Sequence, residues 1–205
     1  MFGRSNKDKS APHPNRWLVI GLGNPGEEYE KTRHNVGAML AAHMAHVSKV
    51  KFSSHKARAN VAEFRLGVGA DTPSLVVATL RCYMNESGGP TKALADFYKV
   101  KGDHIIIAHD ELDIPFQAIR VKFGGGDNGH NGLKSITSAL GSGDYFRLRL
   151  GIGRPPGQQD PGDFVLKPFS SNERKTLEEF LITGSEAVES LIENGLEKTQ
   201  QNFNT

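Results

Sequence analysis

Two short runs of consecutive apolar residues, at 17–22 and 105–108, constrain the fold of this chain more than any other feature. A strand with one face in water alternates apolar and polar side chains, whereas these runs place apolar groups on both faces. Both runs end in glycine or polar residues, and both are shorter than an ordinary helix. They therefore predict central strands of a sheet that is covered by helices on both sides.

The rest of the chain alternates between helical and extended patterns. From apolar residues at helical spacing, helices are predicted over 35–50, 87–98, 130–140 and 172–194. Further strands are predicted over 61–66, 74–80, 118–123 and 146–152. Residues 154–162, rich in proline and glycine, are predicted to form a loop. The expected fold class is α/β, a single domain with a central mixed, mostly parallel, twisted sheet and helices on both faces.

The length of 205 residues, with 37% hydrophobic and 23% charged residues, suits one globular domain. Residues 1–15 are polar, basic and contain proline, and we predict a flexible N-terminal arm followed by the domain at 16–205. Apolar runs never approach eighteen residues, so no membrane span is predicted. The single cysteine, Cys82, excludes an internal disulfide framework and suits a reducing cytoplasm; we interpret it as a strand-end residue rather than a nucleophile.

The charge is distributed unevenly along the chain. Residues 1–154 contain 21 Lys and Arg against 14 Asp and Glu, whereas residues 155–205 contain 4 against 9. Such a chain can present a basic face to a polyanion, although two ordinary solvated surfaces give the same pattern. Charge therefore permits nucleic-acid binding without arguing for it.

A glycine-rich loop after the first strand matches the dinucleotide-binding pattern G-x-G-x-x-G at residues 21–26. A pyrophosphate needs the bare start of a helix, yet this loop continues into Glu27 and Glu28, which repel phosphate. No acidic residue follows between Glu30 and Glu63, where a ribose ligand is expected. The sequence therefore argues against a dinucleotide site.

Polar residues gather in four segments, each at a predicted strand end, at 23–35, 83–87, 109–113 and 122–131. In α/β sheets the functional residues collect at such ends. His34 is predicted at the start of the first helix, where the positive helix end favours the neutral imidazole that a general base requires. A capping histidine is the alternative. Asp110 ends a buried strand and can accept the N–H of an imidazole, although residues 109–113 also resemble a metal-ligand cluster.

The other two segments offer groups that bind rather than react. Asn85 and Asn131 carry amides that can hold a peptide or ester carbonyl, or can cap helices. Three consecutive glycines at 124–126 allow close approach of the backbone to a ligand. Lys122 and Arg149 bracket this segment and can clamp a phosphate, or they are solvated strand-edge charges.

The four segments contain, in this order, the motifs GLGNPGEEYEKTRHN (21–35), YMNESG (83–88), HDELD (109–113) and GGGDNGHNGLKS (124–135). With these motifs the chain resembles the bacterial peptidyl-tRNA hydrolase family over residues 17–202. The resemblance implies an enzyme that cleaves the ester between a peptide and the 3′-terminal ribose of tRNA. By motif position, His34 matches the family's catalytic base, Asp110 its supporting carboxylate and Asn24 the asparagine associated with distinguishing blocked from free aminoacyl-tRNA.

The resemblance also implies a substrate-binding set and the working state of the protein. The positions that match tRNA- and peptide-contacting residues are Tyr29, Tyr83, Asn85 and Asn131, and those that match the phosphate-holding residues are Lys122 and Arg149. We expect a cytoplasmic monomer that binds peptidyl-tRNA without a cofactor, a metal, a membrane or an obligate protein partner. Two alternatives remain at this point, an inactive RNA-binding relative and a metal-dependent phosphoesterase built on residues 109–113.

Overall fold

The computed structural model describes residues 15–69, 71–155 and 157–204, so residues 1–14 of the predicted arm lie outside the described part. In that part the strands are β1 Arg16–Gly21, β2 Ser53–His55, β3 Ala59–Arg65, β4 Ser74–Leu80, β5 Ile105–Glu111, β6 Ile119–Phe123 and β7 Phe146–Gly151. The α-helices are α1 Val36–Val47, α2 Gly88–Tyr98, α3 Asn131–Leu140, α4 Pro161–Val165, α5 Ser171–Arg174 and α6 Leu177–Phe203.

The strands form one sheet in the order β2-β3-β4-β1-β5-β7-β6. β4, β1, β5 and β7 are mutually parallel, whereas β3 and β6 run antiparallel to their neighbours. The two apolar runs of the sequence lie side by side in the centre as β1 and β5. The predicted fold class, a mixed and mostly parallel α/β sheet, is confirmed.

The sheet separates two apolar cores, and the central strands contribute to both. On β1, Val19 packs with α1 and α6, whereas Leu18 and Ile20 face α2 and α3 on the other side. All three side chains are 1% exposed or less. This two-sided burial is why β1 carries no alternation of polar residues. Among the described residues, no helix combines the length and hydrophobicity needed to span a bilayer.

The C-terminal region differs most from its prediction. The predicted loop at 154–162 is interrupted at its end by α4, because the side chain of Asp160 caps the helix and Pro161 occupies its first turn. The predicted helix at 172–194 is divided into α5 and α6, and α6 continues to Phe203 through a non-helical Gly195 with φ 78° and ψ 175°. The last turns of α6 were not predicted because many of their residues are polar, and the short edge strand β2 was not predicted either.

Glycines allow α1, the helix that follows the turn of His34, to pack close against the sheet. A Cβ atom on Gly21 would lie 2.1 Å from the carbonyl oxygen of Gly37, and one on Gly37 would lie 2.2 Å from the carbonyl oxygen of Ala108. The glycines of the 21–26 motif therefore serve helix–strand packing at this point. This packing places the 3₁₀ turn Arg33–Asn35, which carries His34, beside the end of β5.

We expect Gly37→Ala to lower the free energy of unfolding by about 1–3 kcal/mol or more, because the added methyl group meets backbone that cannot move without shifting a strand. Gly126→Ala in the loop before α3 is the matched control, since a Cβ there meets nothing within 4 Å and its φ lies outside the left-handed region. It should be neutral or stabilising by up to about 1 kcal/mol. Urea unfolding of both variants measures the difference, and equal stabilities would contradict the packing argument.

Candidate active site

His34 and Asp110 meet at the carboxyl ends of neighbouring parallel strands. His34 Nδ1 lies 2.9 Å from Asp110 Oδ1 and 3.0 Å from Oδ2. A carboxylate can only accept, so Nδ1 carries the proton and Nε2 retains the basic lone pair. The Asp110 side chain is 3% exposed and the His34 side chain 13%, and both line a cavity of about 170 Å³. The pair is therefore built to receive a proton at His34 Nε2.

The two groups shift one another's pKa. Burial by itself lowers the pKa of His34, but the charge of Asp110 and its hydrogen bond outweigh burial and raise the pKa above its usual value. Burial opposes the charged form of Asp110 as well, yet its two histidine partners hold its pKa well below the usual range. The direction for His34 is opposite to that expected from the helix end, because a full charge in contact outweighs a partial helix charge.

A second imidazole binds the same carboxylate. His130 Nε2 lies 3.0 Å from Asp110 Oδ1, while His130 Nδ1 accepts the backbone N–H groups of Gly132 at 3.1 Å and Leu133 at 3.4 Å. The ring centroids of His34 and His130 are 5.0 Å apart. His130 occupies the N-cap position of α3, and the sequence motif contained it without indicating a role in the site.

The arrangement suits proton transfer better than metal binding. His34, Asp110 and His130 offer three converging ligand atoms. However, a neutral imidazole whose Nδ1 accepts hydrogen bonds must carry its proton on Nε2, which leaves His130 no lone pair for a metal. The side chains of the predicted metal cluster at 109–113 also diverge, since Glu111 and Asp113 pair with separate arginines.

Asn24 is held rigidly beside His34. Its backbone N–H donates to Asn35 Oδ1 at 2.8 Å, and its carbonyl accepts from Asn35 Nδ2 at 2.9 Å. Its side-chain Oδ1 accepts the backbone N–H of Met84 at 2.8 Å. With the oxygen engaged, the Nδ2 group is the one that Asn24 can offer to a ligand in the cleft.

A cleft beside the pair of His34 and Asp110 brings most of the predicted site residues together. Tyr29 contacts Tyr83 edge-to-face at 6.5 Å between ring centroids, next to this cleft. The predicted residues that line it are Asn24, His34, Tyr83, Asn85 and Asn131. The wall opposite the polar loops comes from α4, through Gly162 and Val165. Polar amides on one side and small or apolar groups on the other suit a peptide backbone.

The α4 wall is fastened to the turn that carries His34, and sequence reasoning missed the residue responsible. Arg33 Nη1 donates to the carbonyl of Pro168 at 2.8 Å, and Nη2 donates to Glu173 at 2.6 Å. The guanidinium lies 4.2 Å from the ring centroid of Phe164 in α4. Arg33 thus fixes the distance between α4 and the catalytic turn.

Lys122 and Arg149 lie outside the cleft, on the β6–β7 side of the sheet. The Lys122 pKa is lowered by burial and by the nearby charges of Arg149 and Arg147, so the cations are close enough to repel each other. Arg149 Nε donates to Glu111 Oε2 at 3.0 Å, and Glu111 lines the cavity that contains the catalytic pair. The positive charges of Lys122 and Arg149 therefore lie next to Glu111, which itself lines the cavity of the candidate active site.

The fold and the site together define a class, a single-domain α/β enzyme with a histidine–aspartate pair beside an asparagine-lined cleft. The family model for peptidyl-tRNA hydrolase matches residues 18–205. A peptidyl-tRNA hydrolase of Kineococcus radiotolerans is 52% identical, with 91% of this chain and 96% of the relative covered, and that of Streptomyces coelicolor is 52% identical, with 97% and 98% covered. A crystal structure of peptidyl-tRNA hydrolase from Acinetobacter baumannii superposes with a TM-score of 0.80 at 31% identity, with 91% and 93% covered.

The chain belongs to the peptidyl-tRNA hydrolase family. It is an enzyme that hydrolyses peptidyl-tRNA, as the sequence motifs implied. This finding favours the enzyme over the alternative of an inactive RNA-binding relative.

A third histidine, His109, lies behind the pair and is completely enclosed. Its Nδ1 donates to the backbone carbonyl of Asp110 at 2.7 Å, and its ring centroid is 5.0 Å from that of His130. Burial, followed by the neighbouring His130, lowers the pKa of His109 to about 3. The folded protein therefore keeps His109 neutral at pH values where the unfolded chain protonates it.

Because the folded pKa lies below the unfolded value of about 6.5, His109 costs the folded state stability as the pH falls from about 6.5 towards 3. We expect the free energy of unfolding of the wild type to fall, relative to His109→Asn, by about 1.4 kcal/mol per pH unit below pH 6. Asparagine keeps a donor for the Asp110 carbonyl but does not titrate. Urea unfolding from pH 7 to 4.5 provides the measurement, and parallel curves for the two proteins would contradict it.

Proposed function

We propose that the enzyme hydrolyses the ester between the peptide and the 3′-terminal ribose of peptidyl-tRNA by direct attack of water, with His34 as the general base and Asp110 as its partner. The observation that carries the proposal is the buried Asp110 carboxylate bonded to His34 Nδ1, at the edge of the asparagine-lined cleft. Cleavage of prematurely released peptidyl-tRNA by this reaction recycles tRNA.

His34 Nε2 takes a proton from water as the water oxygen attacks the ester carbonyl. Asp110 stabilises the imidazolium that forms, which is consistent with the raised pKa of His34. The imidazolium then returns the proton to the departing ribose oxygen as the carbon–oxygen bond breaks. General-base assistance of this kind contributes about 10²–10⁴-fold to the rate.

Amide donors around the cleft stabilise the developing negative charge of the carbonyl oxygen. Asn24 has its oxygen engaged by Met84, which favours presentation of its Nδ2 group to the substrate. Asn85 and Asn131 are exposed and line the same cleft. A donor aimed at such an oxyanion contributes about 3 kcal/mol of transition-state stabilisation. Tyr29 and Tyr83 complete the binding surface for the peptide and the acceptor end.

Binding of tRNA uses phosphate contacts and the shape of the acceptor end rather than base sequence. Lys122 and Arg149 supply positive charge beside Glu111 and the cavity of the catalytic pair. We assign them to a tRNA phosphate, whose charge would relieve their mutual repulsion. The enzyme is proposed to work in the cytoplasm as a monomer without a metal or cofactor, in agreement with its single, buried Cys82.

His34→Asn should reduce kcat by about 10²–10⁴-fold with little change in KM. Asparagine can still donate to Asp110 from the position of Nδ1, but it has no basic nitrogen in place of Nε2. The measurement is hydrolysis of N-blocked aminoacyl-tRNA, with tRNA binding measured separately by fluorescence anisotropy. Near-wild-type turnover would show that the base has been assigned to the wrong residue.

The same assay separates the proposed reaction from a metal-dependent phosphoesterase. Wild-type hydrolysis should persist in EDTA, and the products should be free tRNA and the blocked amino acid. Loss of activity with the chelator, restored by a divalent cation, would return the metal mechanism to consideration.

Lys122→Gln and Arg149→Gln should raise KM, leave kcat nearly unchanged and each reduce the salt dependence of tRNA binding by about one unit of slope. The matched control is Lys92→Gln, since the ammonium of exposed Lys92 pairs with Asp96 within α2. Binding is measured by anisotropy between 50 and about 300 mM salt. If both variants keep the slope of the control, these residues do not contact phosphate.

A further inference from the structure

His130 makes two kinds of contact that belong to different tasks. Its Nδ1 accepts the first free N–H groups of α3, from Gly132 and Leu133, which is the work of a helix cap. Its Nε2 donates to Asp110 Oδ1, which belongs to the candidate active site. The side chain is 8% exposed, so solvent replaces neither contact easily.

The first contact determines the second. With Nδ1 engaged as an acceptor, the neutral ring must carry its hydrogen on Nε2, and this hydrogen faces Asp110. The two N–H groups of the helix start hold the ring in this tautomer. His34, by contrast, lines the cleft, and it is Nδ1 of this ring that bonds Asp110. The same carboxylate therefore has one partner that can take up a proton and one that is set as a neutral donor.

We propose that His130 is a positioning residue for the reaction: its Nε2–H, fixed by the first turn of α3, holds the Asp110 carboxylate in the orientation in which His34 bonds it. The inference rests on the proposed function, in which His34 is the base. Because both histidines share Asp110 Oδ1, the donor from His130 also takes up part of the negative charge that acts on His34.

The other titratable groups described around this carboxylate either pair with groups other than Asp110 or are neutral. On β5, His109 donates to a backbone carbonyl and has a pKa of about 3, and Glu111 pairs with Arg149 of β7. On the turn of His34, Arg33 pairs with Glu173. The residues of α4 that line the cavity are uncharged, namely Pro161, Gly162 and Val165.

Two substitutions separate the tasks of His130, because each retains one of them. In His130→Asn the side-chain oxygen can cap α3 from the position of Nδ1, but the side chain is too short to reach Asp110. In His130→Gln the terminal amide can donate to Asp110 from the position of Nε2, but it leaves the cap. The measurements are kcat and KM for N-blocked aminoacyl-tRNA across pH 5–9, and the thermal midpoint of unfolding.

We expect His130→Asn to lower kcat by about 10- to 100-fold with KM nearly unchanged. The acid limb of its rate profile should move to higher pH, because the whole charge of Asp110 then acts on His34. His130→Gln should keep kcat within about three-fold and the wild-type limb, but unfold at lower temperature. In ¹⁵N spectra of the wild type, the ring of His130 should show the Nε2–H tautomer.

Full activity in His130→Asn, or equal losses in both variants with an unmoved acid limb, would reduce His130 to a structural cap and overturn the proposal. An Nδ1–H tautomer would overturn it as well. Failure of the proposed function is recognised separately by His34→Asn, which would then retain turnover whatever the two His130 variants show.

Discussion

One buried carboxylate organises this molecule's functional end. Asp110 lies at the end of the most apolar strand, and an isolated charge there would be prohibitively unstable. It remains ionised because two imidazoles donate to it, from the turn before α1 and from the start of α3. The bond network therefore joins three elements that lie far apart in sequence. The bonds that orient the groups of the candidate site are therefore also bonds that tie these three elements together.

The fold makes this meeting possible through its topology. β1 and β5 are parallel neighbours, so the loop after β1 and the last residues of β5 emerge at one edge of the sheet. Close packing at Gly21 and Gly37 then holds α1, and with it the turn of His34, against the carbonyl of Ala108, two residues before Asp110. Glycine in this region sets the distance from helix to strand rather than cradling a phosphate. That is why a dinucleotide-like motif occurs in a hydrolase.

The sequence predicted strands and helices better than it predicted contacts between side chains. The core strands and the first three helices were predicted to within three residues at each end, because burial on both faces and helical periodicity are local signals. The gathering of polar segments at strand ends correctly grouped His34, Asp110, Asn24, Asn85 and Asn131. What the sequence did not provide was that a second imidazole, His130, shares the Asp110 carboxylate, and that Arg149 is held by Glu111. The raised pKa of His34 likewise follows from contacts, and the kink within α6 follows from the backbone conformation of Gly195.

Three histidines lie within one cluster around Asp110, and their backbone surroundings explain why only one is suited to act as a base. His109 is enclosed and its donor is bound to a backbone carbonyl, so burial keeps it neutral and out of reach of water. His130 has given its lone pair to the N–H groups of α3 and its hydrogen to Asp110. His34 alone combines a bond to Asp110 with a place on the cleft. Residue type thus gives three equal candidates, and the burial and hydrogen bonds of each ring select among them. A change that freed His130 Nδ1 from the helix would weaken this distinction, because the ring could then exchange its two tautomers and compete with His34 for the proton.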